Sequence, residues 1–249
     1  MDKPQTLLLE LNPVSQVEPK VLRNHVGKKT YYSFFKRIFD IAFSIFFLLI
    51  IGTWLLPLVA LLIWIDSKGP IFFFQNRVGF GGRTFRCVKF RTMVVNAEAN
   101  SKQAEPDDSR ITRVGHFLRN SSLDELPQFL NVLAGHMSVV GPRPHMHADC
   151  VRFTFLISEY NFRNFVKPGI TGLAQVKGFR GPTGDFDSVF HRYQYDAFYV
   201  RNCDFWLDVR IIRKTAQQTL IFLYSKLVKG KDLNFKVEKA EFEITAKAS

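Results

Sequence analysis

The stretch that decides the architecture runs Ile41-Ala-Phe-Ser-Ile-Phe-Phe-Leu-Leu-Ile-Ile-Gly-Thr-Trp-Leu-Leu-Pro-Leu-Val-Ala-Leu-Leu-Ile-Trp-Ile65, uncharged throughout and closed by Asp40 and Asp66. At about 1.5 Å per residue, a helix of this length reaches across a hydrocarbon core of about 30 Å. The alternative is a buried core helix, which is expected to carry a polar stripe where it meets solvent. The stretch begins too late, after too long a basic lead-in, to read as an ordinary secretory leader. Pro57 lies inside it, and proline removes a backbone donor and crowds the preceding turn, so a break is expected there. Arg23, Lys28, Lys29, Lys36 and Arg37 precede the stretch; Lys68, Arg77, Arg83, Arg86, Lys89 and Arg91 follow it. Basic flanks prefer the cytoplasmic side, and here both flanks are basic. A re-entrant helix bent at Pro57, entering and leaving by one face, satisfies both flanks, whereas a straight span satisfies one.

Working outward, the chain of 249 residues suits one compact domain of about 100–150 residues with additional segments. Its net charge of +12 calls for an anionic partner: nucleic acid, anionic lipid or a phosphorylated substrate. The 26 phenylalanines beside so many Lys and Arg favour a membrane surface, and no recognition-helix or base-stacking pattern points to nucleic acid. Three cysteines, Cys87, Cys150 and Cys203, stand far apart with no CxxC pair, which supports neither a disulfide framework nor a zinc ribbon and fits a reducing compartment.

The expected fold is α/β and mostly helical. Its parts are an N-terminal arm (1–30), a re-entrant membrane helix (31–66), a compact domain (67–204), an amphipathic helix (205–228) and a charged tail (229–249). Tyr31 to Asp40 is aromatic and basic, as suits the headgroup boundary. Ile71 to Phe74 reads as a short strand or an interfacial segment and Phe85 to Phe90 as a strand, with a glycine turn at Gly79, Gly81 and Gly82 between them. That turn suits a hairpin better than a phosphate cradle. Helices are expected over 93–106, 110–120 and 123–134, with Pro/Gly loops at 141–144, 167–172 and 178–184. The 205–227 segment fits either a core-packing helix or one lying in the membrane interface.

The segment Arg119-Asn-Ser-Ser-Leu-Asp-Glu-Leu-Pro-Gln128 carries the chemistry. A Ser cap followed by Pro127 near a helix start puts Asp124 and Glu125 in or beside a first turn, where negative charge is favoured. On its own this is an ordinary capping box. Arg110, Arg113, Arg119 and Arg143 surround it in sequence, with Arg143 held between Pro142 and Pro144. Guanidinium groups bind phosphate oxygens by forked hydrogen bonds. A carboxylate pair among arginines fits metal-assisted phosphoryl chemistry, in which one carboxylate attacks, another holds Mg²⁺ and arginines neutralise developing charge. Lys89 and Arg91 alternate along a strand, sharing a face either toward phosphate or toward solvent.

These pieces resemble the monotopic phosphoglycosyl transferases, also called the bacterial sugar transferase family. In order, they are Lys36-Arg37-x-x-Asp40, Pro57, Gly69-Pro70-Ile71, Gln75-x-Arg77-Val78-Gly79, Lys89-Phe90-Arg91-Thr92-Met93, Ser122 to Gln128, Asn131-Val132-Leu133, Met137 to Pro144, Lys167 to Val176 and Leu207-Asp208-Val209. The match covers about residues 31–220. The resemblance implies an enzyme on the cytoplasmic face of the inner membrane, with amphipathic helices lying on an anionic surface. Its substrates would be a UDP-sugar and polyprenyl (undecaprenyl) phosphate. Asp124 would be the nucleophile, attacking the β-phosphorus, expelling UMP and holding the sugar phosphate covalently until the lipid phosphate takes it. This would be the first membrane step of a polysaccharide or glycoconjugate synthesis. Glu125 would be the Mg²⁺ ligand, Arg119 a supporting catalytic arginine, and Arg143 a phosphate contact. Lys89, Arg91, Arg110, Arg113, Thr171 and Gln175 complete the expected substrate-binding set. Many members carry Ser before the helix-breaking proline, where this chain has Leu56.

The competing reading is a non-catalytic membrane scaffold of a polysaccharide assembly complex, its acidic pair serving only as a helix cap. His145-Met-His147-Ala-Asp149-Cys150 has the residue types of a metal cluster, but His at i and i+2 suits ligation only on an extended segment. Asp185 and Asp187 read as surface, while Asp196 is placed near the site or at the surface.

Overall fold

The computed structural model describes residues 30–95, 108–180 and 185–229. The expected arm and tail, and most of the helix expected over 93–106, lie outside the described residues. Met93 itself bridges to Ile111, so no helix starts there.

The apolar stretch is helical from end to end. Helix α1 (Thr30–Phe47) passes through one π turn (Leu48–Gly52) into α2 (Thr53–Asp66). Pro57 sits within α2, and the irregularity falls just before that helix instead of at the proline. The reason is local. Proline crowds the carbonyl four residues back, here that of Thr53, and the wide π turn ending at Gly52 loosens the helix at that point. Side chains supply donors there: Thr53 Oγ1 donates to Leu49 O at 3.0 Å and Trp54 Nε1 to Ile50 O at 2.9 Å. Outward-facing Phe46, Leu49, Ile50, Trp54, Leu58, Leu61, Trp64 and Ile65 are all exposed, which is the reverse of a soluble core helix.

Both ends of this segment are held by the same globular body. Arg37 donates from both Nη atoms to Val132 O and Leu133 O, at 2.6 and 3.0 Å. Those carbonyls lie in the last turn of the helix Gln128–Leu133, and a guanidinium there satisfies groups that have no partner within the helix. The Asp40 carboxylate accepts from Val139 N at 3.1 Å. At the far end Asp66 accepts from Val114 N at 3.2 Å. Phe47 stacks on Phe129 with centroids 4.2 Å apart. Val59 and Ile63 bury themselves against Phe90 and Leu118.

The body is built from two small sheets and short helices. Strand β1 (Phe72–Val78) pairs antiparallel with β2 (Thr84–Phe90), in register Phe72 to Phe90 and Val78 to Thr84. The glycine turn closes this hairpin, with Gly81 at φ 62°, the left-handed region glycine occupies without strain. Next come α3 (Arg113–Ser121), a 3₁₀ turn (Leu123–Glu125) and α4 (Gln128–Leu133). The single helix expected over 123–134 is thus a tight turn and a helix joined at Pro127. Asn131 extends β2 by side chain, accepting from Val88 N and donating to Arg86 O at 2.9 and 2.8 Å.

Strand β3 (Ser138–Val140) runs parallel to β4 (Gly169–Thr171). Helix α5 (His147–Leu156) lies between these two strands in sequence, and α6 (Leu173–Val176) follows β4. Helices α7 (Phe186–Asn202) and α8 (Phe205–Lys229) complete the fold. Helix α8 buries Asp208, Ile211, Gln218 and Ser225 at helical spacing, while Trp206, Leu220 and Tyr224 stay exposed. Its inner face is therefore core, with Ile211 in the same cluster as Val132, Met137 and Tyr199. Asp208 also ties α8 to α1, accepting from Tyr32 at 2.8 Å, Lys36 at 2.5 Å and Tyr199 at 2.7 Å.

Candidate active site

The acidic pair lies at the joint between α3 and α4. Ser122 adopts φ 60° and ψ 17°, ending α3 and turning the chain sharply into the 3₁₀ turn. This is the only non-glycine residue with positive φ among those described, and such conformations gather at functional sites. The capping-box expectation fails in detail. Ser122 makes no side-chain cap bond, and the Ser121 hydroxyl turns back to Phe117 O and Leu118 O at 2.8 and 3.1 Å. Glu125 bonds across the fold instead. The scaffold reading loses its premise, since the pair is not serving as a cap.

Asp124 and Glu125 are 8% and 6% exposed, far below what unpaired carboxylates tolerate. Glu125 is gripped by two cations. Arg143 Nη1 donates to Oε2 at 2.9 Å, Arg143 Nη2 to Oε1 at 2.5 Å, and Lys89 Nζ to Oε1 at 2.6 Å. These partners hold its carboxyl well below the usual range despite burial. Asp124 makes no hydrogen bond among the described residues. Burial first, then the neighbouring Glu125 charge, push it up to about 6, against the pull of Lys89, Arg143 and Arg119. Two adjacent carboxyls thus hold different affinities for a proton because their partners differ, the usual sign that they do different work.

Arg143 is held with unusual thoroughness. Four consecutive carbonyls around it are each taken by a donor from elsewhere in the fold, two of them by β1. Pro142 O accepts from Gly169 N at 3.0 Å, Arg143 O from Arg163 Nη2 at 2.6 Å, Pro144 O from Arg77 Nη1 at 3.2 Å, and His145 O from Val78 N at 2.9 Å. Glycine at 141 is required: a Cβ there would lie 2.3 Å from Lys167 O. Arg163 is itself a buried ion-pair partner of Asp196, at 2.7 Å.

The other expected residues divide. Arg119 donates to Thr92 Oγ1 at 2.8 Å and acts through space on Asp124. Arg110 pairs with Asp108 at 2.6 Å, within electrostatic reach of Arg119. Arg91 is a correction: β2 ends at Phe90, and the Arg91 guanidinium turns away from the dyad onto Ser67 O and Lys68 O at 2.6 and 3.0 Å, closing the end of α2. It does not share a face with Lys89. Arg113 is exposed at the start of α3. Thr171 bonds Thr215 at 2.6 Å, and Gln175 Nε2 donates to Ile170 O at 3.2 Å, leaving its Oε1 buried without a partner. His145 is buried against Tyr160 Oη at 2.6 Å and kept neutral by burial and surrounding arginines, while His147 is exposed. They form no metal pair. Asp185 caps α7 through Ser188 N.

The dyad suits Mg²⁺ by donor chemistry. Both side chains offer hard oxygens, Asp124 is uncommitted, and Glu125 Oε2 accepts from Arg143 alone, leaving a second lone pair. Magnesium takes one or two carboxylates and completes its shell with phosphate oxygens and water. Spacing marks none of Arg77, Arg163 and Arg192 for the site; Arg77 lies in the Gln75-x-Arg77-Val78-Gly79 run, and nothing in the sequence marks a buried Arg163.

The fold and site define a membrane-associated body with a carboxylate pair set among guanidinium groups. The family model described as bacterial sugar transferase matches residues 31–221, and the chain belongs to that family. It is 46% identical over 198 residues to a UDP-glucose:undecaprenyl-phosphate glucose-1-phosphate transferase of Xanthomonas campestris pv. campestris, covering 78% of this chain and 40% of that one. A UDP-N-acetylgalactosamine-undecaprenyl-phosphate N-acetylgalactosaminephosphotransferase of Aeromonas hydrophila is 42% identical over 190 residues, 76% of this chain and 44% of its own. The exopolysaccharide production protein PSS of Rhizobium leguminosarum bv. phaseoli is 43% identical over 201 residues, 79% of this chain and 96% of its own. Over the first two, the match spans less than half of the relative's length.

The raised Asp124 carboxyl has a consequence for stability. Ionised Asp124 opposes folding, fully above about pH 6 and not at all below the ordinary carboxylate value near 4. Asp124→Asn is therefore expected to raise the melting temperature at pH 8, by the equivalent of about 1–3 kcal/mol, with the gain fading by pH 4. Thermal melts in detergent across this range check it; a loss of stability at pH 8 contradicts the assignment.

Proposed function

We propose that this chain transfers a sugar 1-phosphate from a UDP-sugar to undecaprenyl phosphate, releasing UMP, by way of a covalent intermediate on Asp124. The observation that carries the reading is the uncommitted, buried Asp124 carboxylate beside a Glu125 locked by Lys89 and Arg143. A nucleophile must have a free lone pair, and its neighbour's charge must be balanced if both are to be ionised together. An Asp124 oxygen attacks the β-phosphorus, and the bond to the bridging oxygen breaks with its electrons leaving on UMP. A phosphate oxygen of the lipid then attacks the same phosphorus, the Asp124 oxygen departs, and a polyprenyl diphosphate sugar is formed. Arg143, Lys89 and Arg119 counter the charge gathering on the phosphoryl oxygens. Bound at Glu125 and Asp124, Mg²⁺ would supply further neutralisation of that charge. The named relatives act on glucose and N-acetylgalactosamine donors, so the reading extends to the UDP-sugar class and not to one sugar.

The same reading seats the apolar helix as a re-entrant element at the inner membrane, with the body on the cytoplasmic face. Its support is that α1 bonds the body through Arg37 and Asp40, and α2 bonds it through Asp66, so both flanks stay on one side. The exposed apolar side chains between them, and Trp206 and Tyr224 on α8, then meet lipid instead of water.

Detergent-solubilised protein with Mg²⁺, undecaprenyl phosphate and a panel of UDP-sugars is expected to release UMP from at least one donor, and Asp124→Asn to lower that rate at least a thousandfold. Turnover near wild type in the variant overturns the mechanism. For the membrane seat, Ser33→Cys and Lys68→Cys occupy exposed positions at either end, and the three native cysteines are buried. An impermeant maleimide is expected to miss both in whole cells and to label both in inverted vesicles; opposite accessibility sinks the re-entrant reading.

A further inference from the structure

Beyond the residues that touch Glu125, and apart from Arg163 with its Asp196 partner, three more guanidinium groups gather near Arg143, and the mechanism above uses none of them. Arg77 on β1 donates to Pro144 O at 3.2 Å and to Gln75 Oε1, and its Nε is buried without a hydrogen-bond partner. Arg180, just beyond α6, donates to Gln175 O at 3.1 Å and to Gln218 Oε1 at 2.7 Å, while Gln218 in turn donates to Val176 O at 3.0 Å. Arg192 on α7 is 5% exposed, with Nη1 3.4 Å from His145 Nε2. The partners of Arg77 and Arg180 among the described residues are neutral oxygens. All three arginines are pushed down from the ordinary guanidinium range, first by burial and then by the like charge of Arg143.

Like charges drawn together out of water are costly unless an anion joins them, and several separate guanidinium forks match a ligand with more than one phosphate. Position selects which phosphates. Arg119 flanks the dyad from α3, whose Leu118 packs on Val59 and Ile63 of the apolar helix. With the apolar helix seated in the membrane as proposed above, that is the side facing a lipid acceptor. Arg77, Arg180 and Arg192 belong instead to β1 and the segments around α6 and α7, grouped about the Pro-Arg-Pro turn.

We propose that Arg77 and Arg180, with Arg192 behind them, cradle the diphosphate of the nucleotide donor. This rests on the reading of the chain as a transferase that uses such a donor. Glu125 and Asp124 meet the β-phosphate, and the arginine wall receives the charge that accumulates on the departing nucleoside monophosphate.

The test is calorimetric titration of the full-length, detergent-solubilised protein with inorganic pyrophosphate, beside undecaprenyl phosphate binding measured in mixed micelles. Arg180 is half-buried and lies outside the apolar core clusters, so its replacement spares them. Arg180→Gln is expected to weaken pyrophosphate at least tenfold, and Arg180→Lys, which keeps the charge but loses the fork, several-fold, with lipid binding unchanged. Pyrophosphate affinity unchanged in both variants overturns the cradle, as does a wild-type protein that binds no pyrophosphate. Loss of lipid binding in place of pyrophosphate binding assigns the arginines to the acceptor and also overturns it. Arg180-dependent pyrophosphate binding without UMP release from any UDP-sugar supports the cradle while removing the transferase reading, so the two fail separately.

Discussion

The fork that Arg143 closes on Glu125, with Lys89 on the same carboxylate, is the interaction on which the rest of the site depends. A buried carboxylate is tolerated only when paired, and breaking such a pair by removing one partner leaves an uncompensated charge. Here the pairing has a second effect. By satisfying Glu125 it leaves Asp124 with the burial and the neighbouring charge but none of the hydrogen bonds. The difference between two chemically similar side chains is created by what stands opposite them. The lattice of bonds to carbonyls 142–145 exists to keep that fork in place, which is why a loop of Gly, Pro and Arg is as fixed as a strand.

A short run of sequence links this site to the apolar helix. Along Lys89-Phe90-Arg91-Thr92, Lys89 holds Glu125, Phe90 packs under Val59 and Ile63, Arg91 closes the end of α2, and Thr92 receives Arg119. Lys89 and Thr92 face the dyad and its arginine while Phe90 and Arg91 face α2, because the two-residue alternation of β2 stops at Phe90. The acidic pair is thereby set at a fixed offset from the apolar helix. A reaction between a water-soluble donor and a lipid acceptor needs that placement.

Much of this was legible beforehand. An uncharged run with basic flanks, the hairpin signalled by Gly79 to Gly82, and the Asp124–Glu125 pair with Arg143 all follow from local rules. Other parts were not. Pro57 was expected to break the helix, but the π turn at Leu48–Gly52 and the side-chain donors of Thr53 and Trp54 accommodate it, a tertiary and rotameric solution with no period to read. Arg91 and Arg143 look alike in sequence, yet one closes a helix and the other grips a carboxylate, because β2 ends one residue before Arg91. Arg163 and Asp196 stand far apart in the chain, and their buried pairing depends on how α7 packs against the 160–165 turn. Long-range electrostatics of this kind leaves no spacing signature.

The account stands or falls on a covalent bond to Asp124. Protein incubated with Mg²⁺ and a reactive UDP-sugar, without lipid acceptor, then digested and analysed by mass spectrometry, addresses that bond directly. The account predicts a peptide containing Asp124 heavier by one sugar phosphate, lost on adding undecaprenyl phosphate and absent from Asp124→Asn. An unmodified Asp124 in protein that releases UMP only when donor and lipid are present together, with Asp124→Asn still active, would contradict it.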